Sequence, residues 1–409
     1  MEKSVTSYIT LLLSKVRWLT PVHLQMLLAS CYSALYPSLL LLGTIPAILH
    51  AAFLNPHIDS MSLDNALQTH QWHLVDRVWS NTGYISILES REAEYRVMRC
   101  DHSLLGGEWL LTDDRKTKEG WKVNEPVYAV FEMLEAVRLL EISPPIEDTS
   151  AHALVIGLGI GTAPKAFLSH GIATTIVELD PIVHAFAKKY FALPSNHTAV
   201  IQDAVTYLNT AVSVPNPEQY DYILHDVFTG GAEPLSLFTT SFLQNLRNLL
   251  KPHGVIAINY AGDLASPLTR LVVRTIAHVF HNPNSPGQGS CKLYRDSPPS
   301  KDASSDEDAG ADFLNIIIFC RNSPGPITFR QPSERDCLGS KSRQHYMRPK
   351  ADLEISFPVL READREVLGG KERLEVGDEG RFSKEQSESA KRHWRIMRRV
   401  MPDAVWELW

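Results

Sequence analysis

Two hydrophobic rhythms divide the chain. "GYISILES" (83–90) and "YRVMRCD" (95–101) alternate apolar and polar positions on either side of a charged turn, which predicts an antiparallel hairpin. "DHSLLGGEWLL" (101–111) continues the alternation through a glycine turn. In "NEPVYAVFEMLEAVRLL" (124–140) the apolar residues fall at helical spacing, with Pro126 in the first turn, so a helix is expected there. From residue 153 short apolar runs and helical patterns take turns. Strands are predicted at 153–158, 173–180, 198–204, 220–228, 254–261 and 313–320, with helices at 163–170, 181–191, 205–211, 239–250 and 268–280. Such alternation predicts an α/β doubly wound fold, a mostly parallel sheet covered on both faces.

The N-terminus follows neither rhythm. No Asp, Glu, Lys or Arg occurs from Trp18 to Ile58, and "ALYPSLLLLGTIPAILHAAFL" (34–54) is long enough to cross a bilayer. Pro37 and Pro46 interrupt it, which a membrane helix tolerates. The expectation is a membrane anchor over 1–60, the alternative a buried apolar hairpin. A β-module is expected over 61–122 and the α/β domain over 123–321, with 296–312, rich in Ser, Pro and acid, as a disordered insertion. A polar extension, 322–409, is expected to end in a helix. Ser383 and Gln386 have capping-box spacing before "AKRHWRIMRRVM", whose apolar face is expected to dock on the main domain rather than on a membrane surface.

Composition is that of an ordinary folded protein: 409 residues, 44% hydrophobic and 21% charged. A net charge of −7 gives no general footprint for nucleic acid. Five scattered cysteines without a CxxC pair argue against a disulfide framework or a metal site and favour a reducing compartment. The sequon at Asn196 is read as chance.

The candidate chemistry lies in "LVIGLGIGTAPKAFL" (154–168). Gly157, Gly159 and Gly161 follow a strand and open a helix, where backbone can approach a ligand closely and free N–H groups are available. The third glycine comes one residue too early for the usual dinucleotide loop. Each of the next three strands ends in an acid. Glu178 is placed to accept ribose hydroxyls, Asp203 with Ala204 to recognise adenine, and Asp226 to face the reactive end of the cofactor. Each acid alone also reads as a helix cap. Together with Leu158 in the loop, they predict an adenosyl ligand.

At this point residues 83–320 resemble the spermidine/spermine synthase family, whose fold is that of class I S-adenosylmethionine-dependent methyltransferases. "MRCDHSLLGGEWLLTDDR", "NEPVYAVFEML", "VIGLGIGT", "VELD", "QDAVTYL" and "YDYILHDVF" stand in the family's order. The resemblance implies a seven-stranded Rossmann-like sheet behind a small β-hairpin module. It also implies S-adenosylmethionine or its decarboxylated form as cofactor, with Asp101 and His102 facing it from the β-module. Departures bear on the reaction. Aminopropyltransferases carry an acid where this chain has Ile160, and their D-S-S-D-P segment is here Asp226-Val227-Phe228-Thr229-Gly230, which keeps only the first acid. Tyr128 matches the family's tyrosine, but Ala129 and Val130 replace the Gln and Glu after it.

Desolvating a multiply charged polyamine needs several carboxylates. Here Asp226 remains, with Glu125 and Glu233 as further candidates. Methyl transfer to a small-molecule, lipid or protein acceptor is therefore expected, with Asp226 as the residue that orients or deprotonates it, followed by Tyr128 and His225. For His225, on a buried strand, a packing role is favoured. Polyamine biosynthesis by aminopropyl transfer and a non-catalytic adenosyl-binding scaffold are the alternatives. Lys3, Lys15 and Arg17 before the apolar segment, and Asp59 and Asp64 after it, argue for a catalytic domain outside the cytosol. The adenosyl cofactor and unpaired cysteines argue for a membrane-associated protein with a cytosolic domain. A homodimer is compatible with the sequence.

Overall fold

Residues 59–227, 233–280, 291–298 and 313–408 are described by a computed structural model, together with His23, Met26, Leu27, Ser30 and Cys31. The apolar segment 34–54 and most of the 296–312 insertion lie outside the described residues. Among the described residues no helix is long and apolar enough to cross a membrane. The chain divides into two units: residues up to Leu105 with Asp180–Ile182 and Arg398–Trp409, and the remainder.

In the first unit the alternating segments form β2 (Tyr84–Ser90) and β3 (Tyr95–Cys100), preceded by β1 (Trp72–Trp79), all antiparallel. The sequence pattern does not reveal β1, because its register shifts between Leu74 and Asp76 and breaks the alternation. The helix Ser60–Gln68 is N-capped by Asp59, which accepts from Ser62 N at 2.8 Å. The C-terminal tail is bound to the same unit: Tyr95 Oη donates to Val400 O at 2.7 Å and the buried Arg99 to Val405 O at 2.9 Å. Strand β4 (Ser103–Trp109) carries the chain into the second unit, where its end pairs with β5 (Glu125–Pro126).

The second unit is built on β6 (His152–Ile156), β7 (Ala173–Glu178), β8 (Thr198–Ile201), β9 (Tyr220–His225), β10 (Leu250–Asp263), β11 (Cys291–Arg295), β12 (Phe313–Arg321) and β13 (Glu354–Ile355). Their spatial order is β13-β11-β12-β10-β9-β6-β7-β8, eight strands rather than the expected seven, because the two-residue β13 pairs at the edge. Strands β6 to β10 are parallel; β12 runs antiparallel to β10, and β11 to β12. Neighbouring residues of one strand point to opposite faces. Leu154, Ile156, Ile223 and Ile256 join a core with helices Thr240–Leu249 and Pro267–Phe280. Ala153, Val155, Leu224 and Ala257 join another with Met133, Leu134 and Phe167. The crossover helices Thr162–Ser169, Pro181–Tyr190 and Ala204–Ala211 stand where the periodicity predicts them.

Three expectations are corrected. Residues 124–140 do not form one helix. Pro126 sits in β5, a helix covers only Val130–Met133, and a 3-10 helix follows at Leu134–Leu139. Carboxylates along this stretch are held by a later segment: Glu125 by Ser340 Oγ (2.5 Å) and Lys341 N (2.7 Å), Glu132 by Ser342 Oγ, and Glu135 by Arg343 (2.8 and 2.9 Å). Next, two of the five cysteines are paired. Cys291 and Cys320 face each other across β11 and β12, Cα to Cα 4.1 Å, and form a disulfide. Strand pairing joins residues 29 apart, which no local spacing motif signals. Finally, Ser383 and Gln386 form no capping box. The 3-10 helix Glu379–Phe382 runs straight into helix Ser383–Met397, and Gln386 instead donates to Glu233 O at 3.0 Å. That helix is held within the second unit by polar contacts, Arg392 also pairing with Asp263 on β10.

Burial, aided by the neighbouring Glu135, pushes the Glu132 carboxyl up to about 8. A carboxyl whose folded pKa is raised favours the folded state while protonated, so this contribution is full below the ordinary value of 4.5 and is lost as pH rises towards about 8. Glu132→Gln, which keeps the neutral form at every pH, should match the parent in urea denaturation at pH 4.5 and exceed it at pH 8. A stability difference that does not change with pH would refute the assignment.

Candidate cofactor and acceptor site

Strand β6 ends at Ile156, and the loop after it turns through Gly157, Gly159 and Gly161 with φ of 86°, 53° and 84°. Gly157 is obligatory on two counts. Its backbone is left-handed, and a Cβ there would stand 2.1 Å from the Asp226 carbonyl oxygen. Gly157 N donates to Val177 O and Asp226 N to Ile156 O, both at 2.9 Å, so the loop is pinned between the ends of β7 and β9. This is the topological switch point of the sheet, since β6 has β7 on one side and β9 on the other. Helix Thr162–Ser169 starts from Gly161 without a side-chain cap, leaving its first N–H groups to a ligand.

The predicted residues separate on this frame. Glu178, at the end of β7, accepts from Leu158 N at 3.0 Å, so the acid is fixed against the glycine loop. Asp203 Oδ1 caps the helix begun by Ala204, accepting from Thr206 N (2.8 Å) and Oγ1 (2.9 Å). Asp101 and His102 belong to the first unit, where Asp101 Oδ1 accepts from Tyr84 N at 2.9 Å. Tyr128 lies between β5 and the short helix, edge-on to Phe131. His225 is core: fully buried, edge-on to Phe238 and Phe242, with burial pushing its pKa down to about 4.

Asp226 lies deep in the fold yet keeps part of its surface open. Burial raises its pKa to about 6, and the hydrogen bond from Asn259 Nδ2 (2.9 Å) restrains that rise. Close by, Glu233 is buried, accepts from Ala261 N at 2.9 Å, and is held well above the carboxylate range by burial and by the charge of Asp226. Asn259 was not among the expected site residues. Its trace in the sequence is a polar residue inside the apolar strand "GVIAINYA". Ile160 is only 3% exposed and packs on Gly106, where a Cβ would come within 3.0 Å of Ile160 Cγ1. It is therefore a packing residue of the loop.

Residues 130–279 match the spermine/spermidine synthase domain family. Over its whole length the chain is 45% identical to the N-terminal histidine N-methyltransferase of Emericella nidulans, spanning 72% of that protein. The chain belongs to the spermidine/spermine synthase-like family of class I S-adenosylmethionine-dependent methyltransferases. A polyamine aminopropyltransferase of Vibrio vulnificus is 36% identical over 26% of this chain and 36% of its own length. Among solved structures, a probable spermidine synthase from Corynebacterium glutamicum covers 74% of this chain and 96% of its own at 15% identity, with a TM-score of 0.49.

The chain is thus an S-adenosylmethionine-dependent methyltransferase with a spermidine synthase-like fold. The residues present fit that cofactor: a glycine loop that leaves no room for a Cβ at 157, uncapped helix N–H groups and an acid fixed beside the loop. Gly157→Ala should lower unfolding stability, because the ends of β6 and β9 must part to admit the Cβ, and should abolish S-adenosylmethionine binding in calorimetry on the fraction that stays folded; retained affinity would place the cofactor elsewhere. Ile160→Asp, which restores the aminopropyltransferase acid, should lower unfolding stability by about 3 kcal/mol or more, because the carboxylate would be buried against Gly106. Unchanged stability would mean that position 160 opens to solvent or ligand.

Proposed function

We propose that the chain transfers a methyl group from S-adenosylmethionine to a nitrogen of an amino-terminal histidine in a protein acceptor. The observation that carries this reading is the match of the entire chain, catalytic domain and flanking segments alike, to a relative named for that activity. The polyamine enzyme matches only a quarter of it. The geometry supports the same choice, because Ile160, at the position of the aminopropyltransferase acid, is walled into the core.

Bound S-adenosylmethionine supplies a methyl group already activated on its sulfonium. What remains for the protein is to align the acceptor nitrogen, exclude water and accept a proton where the nitrogen carries one. Asp226 is suited to the last task. Its carboxyl, held at about 6, is ionised at neutral pH yet basic enough to take a proton from a bound nitrogen. Asn259 keeps it oriented.

The reading is tested with the full chain, S-adenosylmethionine and two peptides that differ only in a first residue of histidine or alanine, followed by mass spectrometry. A single added methyl on the histidine peptide alone is the expected result; equal modification of both, or of neither, would refute the acceptor. In the same assay Asp226→Asn should lower kcat by roughly 10²–10⁴-fold with cofactor affinity little changed. The rise of kcat through about pH 6 should disappear with it. Equal loss of cofactor binding and turnover would remove Asp226 from the acceptor side.

A further inference from the structure

Asn196-His197-Thr198 is the single N-x-S/T triplet of the 409 residues, and so short a pattern arises often by chance. Its place in the fold makes it an acceptor for an N-linked glycan. The triplet joins the loop after helix Pro181–Tyr190 to the first residue of β8, with Asn196 and Thr198 exposed and His197 half-buried between them. His197 anchors the turn, its Nδ1 lying 2.7 Å from Pro194 O and its Nε2 2.9 Å from His184 Nε2. The middle residue is thus held by the protein, while the two that a glycan-transferring enzyme must reach stay in solvent. Ligands of parallel sheets bind at the carboxyl ends of the strands. Asn196 precedes the amino end of β8, so a bulky group there leaves the glycine loop clear.

A second observation points to the compartment in which such a group is added. Cys291 and Cys320 face each other on β11 and β12, 5% and 0% exposed, and are joined. Structural disulfides persist where thiols are oxidised and are rare where glutathione keeps them reduced. N-linked glycans belong to secreted chains, which pass through the same oxidising environment. Lys3, Lys15 and Arg17 before the apolar segment, against Asp59 and Asp64 after it, argue for that side by the positive-inside rule.

We infer that Asn196 carries an N-linked oligosaccharide and that the α/β domain folds in an oxidising secretory compartment. In the transfer, the bond between the sugar's anomeric carbon and a lipid diphosphate carrier breaks and a bond to Asn196 Nδ2 forms. The amide gives up one proton and the lipid diphosphate is released. The two cysteines pass two electrons and two protons to a disulfide-bearing oxidant, which is reduced to its dithiol. Strand β8 ends the sheet, paired among the described residues with β7 alone. The glycan sets a hydrated group beside an edge whose unpaired N–H and C=O groups otherwise invite another chain. None of this depends on the methyl acceptor proposed above.

The test expresses the full chain in a eukaryotic cell and compares its electrophoretic mobility before and after treatment with a peptide N-glycosidase. One discrete shift is expected in the parent and in Thr198→Ser, which keeps the hydroxyl, and none in Asn196→Gln or Thr198→Val. Mobility is read on denatured chain, so a variant that folds poorly still reports. Cells alkylated before lysis should yield Cys291 and Cys320 as one cross-linked peptide in mass spectrometry without reductant. A parent that does not shift, a shift that persists in Asn196→Gln, or alkylated thiols at 291 and 320 would overturn the inference.

Discussion

Everything at the functional end of this sheet depends on the approach of two backbones, Gly157 after β6 and Asp226 after β9. The carbonyl of Asp226 occupies the space a side chain at 157 would need, and the hydrogen bond from Asp226 N to Ile156 O holds the two strand ends in register. This contact leaves room only for glycine at 157 and fixes the backbone of Asp226 beside the loop. The glycine loop and the backbone of Asp226 are therefore held by one constraint, and neither can move without the other.

Asp226 and Glu233 are held by neutral donors, Asn259 Nδ2 and the Ala261 N–H, rather than by cations, which leaves both groups poised near or above the ordinary carboxylate range. Ile160, where relatives with polyamine chemistry carry an acid, packs on Gly106.

Charge is used differently farther from the site. Glu125, Glu132 and Glu135 are bound by Ser340, Ser342 and Arg343, so that a segment more than 200 residues later completes the stretch before β6. Removing one partner of such a buried cluster strands the other, which makes the arrangement sensitive to substitution even where its net contribution to stability is small.

Periodicity along the chain was enough to predict the parallel α/β architecture, its crossover helices and the glycine loop, because those features are set by residues near one another in sequence. The acids at the strand ends could be found by position but not sorted by role. Asp203 caps a helix, Glu178 anchors the loop and Asp226 faces Asn259, distinctions made by donors brought from other elements. The Cys291–Cys320 pair, the bulged β1 and the broken 124–140 segment were invisible for the same reason, as each depends on a partner across a strand or far along the chain. Local sequence dictated which elements form and where backbone can approach a ligand. Only tertiary packing decided which acid is held by which donor, since that depends on contacts no single segment contains.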